Sequence, residues 1–186
     1  LSSSDNQVTV TTDYLTLVYT LNSEGYASQC VYSLSSQNRI YQFSYSAEGY
    51  LTGIVENIDD TEYSSTSLTY ENGDITSISS KMNGLENKFI YEAGEESSTY
   101  HLPCLGLLEI HPLTFHIEAL YAGLLGKDPR HFTMHSCPAG SNDEKTVYSY
   151  GFDKKGNPSR MICQTTYAGG QASYYPYTRN ISISFE

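Results

Sequence analysis

The stretch Thr66-Ser67-Leu68-Thr69-Tyr70-Glu71-Asn72-Gly73-Asp74-Ile75-Thr76-Ser77-Ile78 decides the fold. Apolar and polar residues alternate on both sides of Asn72-Gly73. Asn-Gly is the strongest short hairpin signal, because both residues accept the positive φ that a tight turn demands. The run reads as two antiparallel strands, Thr66–Tyr70 and Ile75–Met82, each with one buried face.

Outward from this hairpin the same beat recurs, a tyrosine closing one alternating stretch and a glycine opening the next. Tyr19 leads to Gly25, Tyr45 to Gly49, Tyr91 to Gly94 and Tyr150 to Gly156. Leu15, Leu17, Tyr19 and Leu21 share one face of the first strand, and Tyr41, Phe43 and Tyr45 share one face of another. The intervals between the first tyrosines are short enough for a repeat of one hairpin each. The expected fold is mainly β: an antiparallel meander curled into a barrel-like or strongly curved sheet, which deals with its own exposed edges.

Between Tyr91 and Tyr150 the beat stops. Within the interruption, 101–135, the residues Leu113, Ile117, Leu120, Tyr121 and Leu124 recur at helical spacing, with Pro112 before them and Gly126 after. Phe115, Ala119 and Ala122 lie on a neighbouring face. The spacing predicts one inserted helix, about 113–125, buried on most of its circumference in or against the sheet.

The chain has 186 residues, enough for one domain, expected over 8–186 behind a flexible tether at 1–7. With a net charge of -11 it repels phosphate backbones and anionic lipid, so nucleic acid is not an expected partner. The most apolar region, 105–126, is interrupted by Glu109, His111, Pro112, His116 and Glu118 and cannot form a spanning helix. The Ser-rich start reads as a tether trimmed from an exported precursor, in which a lipidated cysteine could have preceded it. Cys30, Cys104, Cys137 and Cys163 lack close pairs, which disfavours a zinc ribbon. Cys104 and Cys137 flank the interruption and could be bridged, but four unpaired thiols fit the spacing nearly as well.

Three pieces of the chain carry a resemblance: the Tyr–Gly hairpins, the run Ala122-Gly123-Leu124-Leu125-Gly126-Lys127 with Pro129 and His131, and the late turn Tyr150-Gly151-Phe152-Asp153-Lys154-Lys155-Gly156-Asn157-Pro158. Over most of its length the chain resembles a Bacteroides envelope family of unknown function with a porin-like fold. The hairpins are more loosely similar to the tyrosine-aspartate repeats of bacterial shell proteins. The family resemblance implies a curved or barrel-like sheet, export, and a lipoprotein at the periplasm or outer-membrane surface. It brings no activity that can be carried over. The polar outer faces, rich in Ser, Thr, Gln and Asn, argue against a lipid-facing band.

Chemistry-bearing residues concentrate in the interruption. His101, His111, His116, His131 and His135 all lie there. Imidazole and carboxylate are zinc ligands, and the candidate set is His111, His116 and Glu118, with His135 in reserve. The plainer alternative is that these histidines cap and pad a buried helix. No nucleophile elbow, phosphate loop or dinucleotide fingerprint is present, so no cofactor and no enzyme is expected. Tyr41, Tyr45, Tyr50 and Tyr70 either pack a sheet face or offer stacking platforms to sugars or apolar ligands. The loop run Tyr174-Tyr175-Pro176-Tyr177 beside Gly169-Gly170 is the stronger ligand candidate, the alternative being a loop folded over a barrel mouth. The expected function is a non-catalytic envelope module binding a glycan, a small apolar ligand or a partner protein. A structural role with a helix-plugged barrel is the alternative, and a metal-dependent or carboxylate-based hydrolase the third.

Overall fold

A computed structural model describes residues 2–4, 6–11, 15–34, 37–97, 107, 110–141, 144–155, 158–167 and 177–182. The strands are β1 (Ser2–Ser4), β2 (Gln7–Thr11), β3 (Thr16–Leu21), β4 (Ala27–Leu34), β5 (Gln37–Tyr45), β6 (Leu51–Ile58) and β7 (Thr61–Glu71). They continue through β8 (Asp74–Met82), β9 (Leu85–Ser97), β10 (His131–Pro138), β11 (Glu144–Phe152), β12 (Pro158–Tyr167) and β13 (Tyr177–Ser182). All thirteen form one antiparallel sheet in which every strand neighbours its sequence neighbours. The meander is as expected, and among the described residues it stays open, with β1 at one edge and β13 at the other. Residues 2–4, within the expected tether, pair with β2 as a short edge strand.

The tyrosine–glycine beat has a physical cause. Gly25, Gly49 and Gly73 sit at φ +84°, +93° and +89°, where a side chain would be strained. Just past each turn the second strand carries one extra residue, a β-bulge. Register slips between Thr20 and Leu21, between Ser44 and Tyr45, and between Thr69 and Tyr70, leaving Ser28, Thr52 and Thr76 unopposed. The turn after β11 repeats this with Ser159. Three of these hydroxyls donate back across the ladder: Ser28 to the Thr20 carbonyl (3.0 Å), Thr76 to that of Thr69 (3.2 Å) and Ser159 to that of Gly151 (3.3 Å). The residue before each bulged position, Ala27, Leu51, Ile75 and Pro158, is buried. The sequence unit is therefore Gly-x-apolar-Ser/Thr.

Tyr91–Gly94 is an exception, because Gly94 lies inside β9 rather than at a turn. A Cβ there would stand 2.6 Å from Met134 Cγ, so this glycine makes room for a neighbour on β10.

Residues 110–130, in the connection between β9 and β10, cross the inner face of the sheet. The expected helix is two short pieces: a 3-10 turn at Leu113–Phe115 and α1 at Ile117–Tyr121, separated by His116 at φ -121°. Leu113, His116, Ala119 and Leu120 face the sheet, whereas Phe115, Ile117 and Glu118 face outward. Burial thus follows a narrower stripe than the broad burial expected. A Schellman motif ends α1: Leu124 N–H donates to Ala119 O (2.9 Å), Gly123 N–H donates to Leu120 O (3.2 Å), and Gly123 takes φ +72°.

The insertion also measures the curl of the sheet. His111 O accepts from Ser80 on β8, and His116 bonds Tyr19 on β3. On a flat sheet, β3 and β8 would lie about 24 Å apart, at about 4.8 Å per strand. Five residues of compact helical chain reach only about 10 Å. Side-chain reach and the curvature of the sheet together cover the rest.

Candidate functional site

Inside the curl, the first half of the insertion is fastened by one carboxylate. Glu56 on β6 is completely buried, and its oxygens accept from Arg39 Nη1 (2.9 Å), Tyr41 Oη (3.1 Å), Ser64 Oγ (2.8 Å) and His111 Nε2 (2.5 Å). Burial alone would raise its pKa. The hydrogen bonds from His111 and Ser64, with the His111 charge, outweigh that and hold it below the usual carboxylate value. The His111 carbonyl is fixed by Thr66 (3.0 Å) and Ser80 (2.8 Å). Tyr63 and Phe115 flank the outer side, each ring about 6 Å from the Arg39 guanidinium carbon. Every acceptor atom of Glu56 is engaged, so the cluster is a clamp.

His116 sits deeper, boxed by the rings of Tyr19, Tyr41 and Phe43, with Nδ1 bonded to Tyr19 Oη at 2.8 Å. Its Nε2 is buried with no hydrogen-bond partner among the described residues. Burial pushes its pKa down to about 3, against a smaller upward pull from Glu56, so the ring is neutral. The proposed zinc ligands do not converge. His111 is committed to Glu56, His116 to Tyr19, and Glu118 points to solvent; among the described residues no group of three His, Cys, Asp or Glu could hold a metal. His135, the reserve ligand, lies on β10 beside the exposed Glu92 at 3.2 Å.

The second half of the insertion runs as a strap across three hairpin tips. Ala27 N–H donates to Leu124 O (2.7 Å), Lys127 N–H to Gly49 O (2.9 Å), and Arg130 N–H to Gly73 O (3.0 Å). Successive hairpin tips are two strands apart, about 9.6 Å. Three residues of extended chain with the polyproline rise cover about 9.3 Å, and the residue before a proline prefers that conformation. Asp128-Pro129 stand between the two anchor points. The strap ends at Asp74, whose carboxylate accepts from His131 N–H (2.8 Å) and His131 Nδ1 (2.7 Å).

Under the strap the tyrosines form a ladder. Tyr26 lies over Gly49 and against Tyr45, their centroids 5.3 Å apart; Tyr50 lies over Gly73 and stacks on Tyr70 at 4.9 Å. A Cβ on Gly73 would be 2.8 Å from Tyr50 Oη. Beside the second rung opens a groove of about 790 Å³. Tyr50 and Tyr70 wall it, Ser46, Thr52, Thr69 and Asn72 supply hydroxyl and amide groups, and Lys127, Arg130 and Glu48 also line it. Such aromatic walls with a few polar groups are what a small-ligand site requires. Of the four tyrosines singled out in the sequence, Tyr50 and Tyr70 line the groove, while Tyr41 is buried at the clamp and Tyr45 bonds the Ala27 carbonyl at 2.6 Å. Tyr174 and Tyr175 lie outside the described residues; Tyr177 opens β13, and its side chain is likewise outside them. Cys104, the possible partner of Cys137, is outside them too.

The model of the family named Domain of unknown function (DUF4595) with porin-like fold matches residues 2–160. The chain belongs to this family. A porin-like protein from Bacteroides uniformis is 27% identical to it, with a TM-score of 0.87 over 100% of this chain and 75% of that one. A porin-like protein from Bacteroides vulgatus shares the fold at 12% identity, with a TM-score of 0.63 over 100% of this chain and 84% of that one. No curated protein matches. In this porin-like domain the inner face is filled by Tyr19, Tyr41, Leu113 and His116, and the groove opens at the hairpin tips instead.

Proposed function

We propose that this porin-like domain is a non-catalytic binding module of the bacterial cell envelope, exported as a lipoprotein, and that its ligand is a glycan held in the hairpin-tip groove. The observation that carries this reading is the groove itself. A tyrosine wall stands beside hydroxyl and amide groups, which suits a ring that is apolar on its faces and polar at its edge. The porin-like Bacteroides neighbours support the envelope assignment. Two measurements test it. Titration with an oligosaccharide panel, followed by tyrosine fluorescence, should give saturable binding that Tyr50→Ala abolishes while the unfolding temperature stays within a few degrees. Fractionation of cells making the full-length precursor should find it in the envelope. Absence of any Tyr50-dependent ligand overturns the binding role, and a cytosolic protein overturns the location.

A structural role is favoured by a different observation: the inner face of the curl is occupied by the insertion. If no ligand of the panel binds, this is the reading that remains.

A further inference from the structure

We propose that the groove is built for an acidic saccharide, with the carboxylate of a uronic acid type of sugar held between Lys127 and Arg130. The inference rests on the glycan reading and names the ligand's charge. The chain carries 10 Lys and Arg against 21 Asp and Glu, so two cations lining one groove run against its composition. Neither side chain is held in an ion pair among the described residues; Glu48 acts on Lys127 only through space.

Their placement follows from the backbone. The amides of Lys127 and Arg130 are fixed to the Gly49 and Gly73 carbonyls, at 2.9 and 3.0 Å. A chain with three residues per turn sends residues three apart to one side, and both side chains do line the groove. The strap thus fixes the base of each side chain before any ligand arrives, which lowers the ordering cost of binding. Arginine offers a planar fork matched to a carboxylate, and lysine a compact point charge. Between them and the Tyr50–Tyr70 wall, one sugar ring can lie against an aromatic face while its carboxylate meets the cations.

The probe is α-1,4-linked tetragalacturonate, compared with its full methyl ester, which has the same rings without the charge. Calorimetric titration of the whole chain should give at least about tenfold tighter binding of the acid at low salt. The advantage should shrink as salt is raised, because exposed charges are screened. Lys127→Gln with Arg130→Gln should remove the acid's advantage over the ester. Both substitutions keep the strap amides, and an unchanged unfolding temperature shows that the fold is intact. Equal binding of acid and ester, with both lost in Tyr50→Ala, overturns the acidic ligand and keeps the glycan reading. Acid binding that survives the double substitution overturns the assignment to Lys127 and Arg130. No binding of either probe overturns the proposal, and the neutral panel then decides the glycan reading separately.

Discussion

Replacing His116 by Phe should remove most of the protein's loss of stability between pH 7.5 and 4.5. In the native protein the imidazole is enclosed by Tyr19, Tyr41 and Phe43, and its pKa falls from 6.5 to about 3. The unfolded chain takes up a proton near pH 6.5 while the folded one resists, so acid favours unfolding. A depressed histidine therefore contributes instability that grows as pH drops from 6.5 toward 3. At about 1.36 kcal/mol per pH unit, the two units between 6.5 and 4.5 amount to about 2.5–3 kcal/mol. For a chain of this size that corresponds to about 5–12 °C of unfolding temperature. Phe keeps an apolar ring in the box but removes the Tyr19 hydroxyl's bond to the imidazole, a fixed cost of about 1–3 kcal/mol. The informative quantity is therefore the slope, not the level. Urea unfolding of both proteins at half-unit pH steps gives it, and the difference between them cancels the titrating groups that the two proteins share. A wild-type-minus-variant difference that stays flat across this range would refute the buried neutral histidine.

Glu56→Gln should cost about 2–4 kcal/mol by chemical denaturation, because four donors lose a charged acceptor within a buried cluster. Since the folded pKa of Glu56 is lowered, its contribution is complete above about pH 4.3 and disappears as pH falls through the folded value; the Gln variant should lack that final acid step. Leu120→Asp should cost more than about 3 kcal/mol, whereas Ile117→Asp, on the outward face, should cost less than about 1. Gly25→Ala and Gly73→Ala share a strained φ worth about 1–2 kcal/mol; only the second meets Tyr50 Oη, so it should be the more destabilising and should weaken ligand binding as well.

The meander was legible because its signals are local. Period two needs only neighbouring residues, and Asn72-Gly73 announces its own turn. Two further turns are equally local: Asn83-Gly84, both at positive φ, joins β8 to β9, and Asp59-Asp60, also at positive φ, joins β6 to β7. The Gly-x-apolar-Ser/Thr unit was also present in the sequence at Gly25, Gly49, Gly73 and Gly156, but a bulge shifts the alternation by one residue and so disguises it. β10 was hidden for the same reason, since bulges opposite β9 place Phe132 and Thr133 both inward. The candidate site is harder to read. His111 stands out as a polar residue near an expected helix, yet its partner Glu56 is 55 residues away in the sequence. Only the curl brings them together. Lys127 and Arg130 flank Asp128-Pro129 in a polar run that carries no binding signal of its own, and only the strap sets them above two glycine tips.

The length of that strap can be tested directly. From Lys127 to Arg130 the chain has one residue for each third of a two-strand step, with no slack. Inserting one alanine between Asp128 and Pro129 adds about 3.1 Å. The strap must then bulge outward or give up an anchor. Giving up the far anchor would cost the Arg130–Gly73 bond and both bonds from His131 to Asp74; giving up the near one would cost the Lys127–Gly49 bond. At about 1 kcal/mol per neutral hydrogen bond, and more for those to the carboxylate, loss of the far end is the costlier outcome. Hydrogen exchange should therefore show Lys127 deprotected while Arg130 and His131 keep their protection. If all three amides stay protected and the unfolding temperature is unchanged, the strap absorbs the residue by bulging and the matched spacing places no constraint on its anchors. If Arg130 and His131 open first, Asp74 is not the anchor that ends the strap.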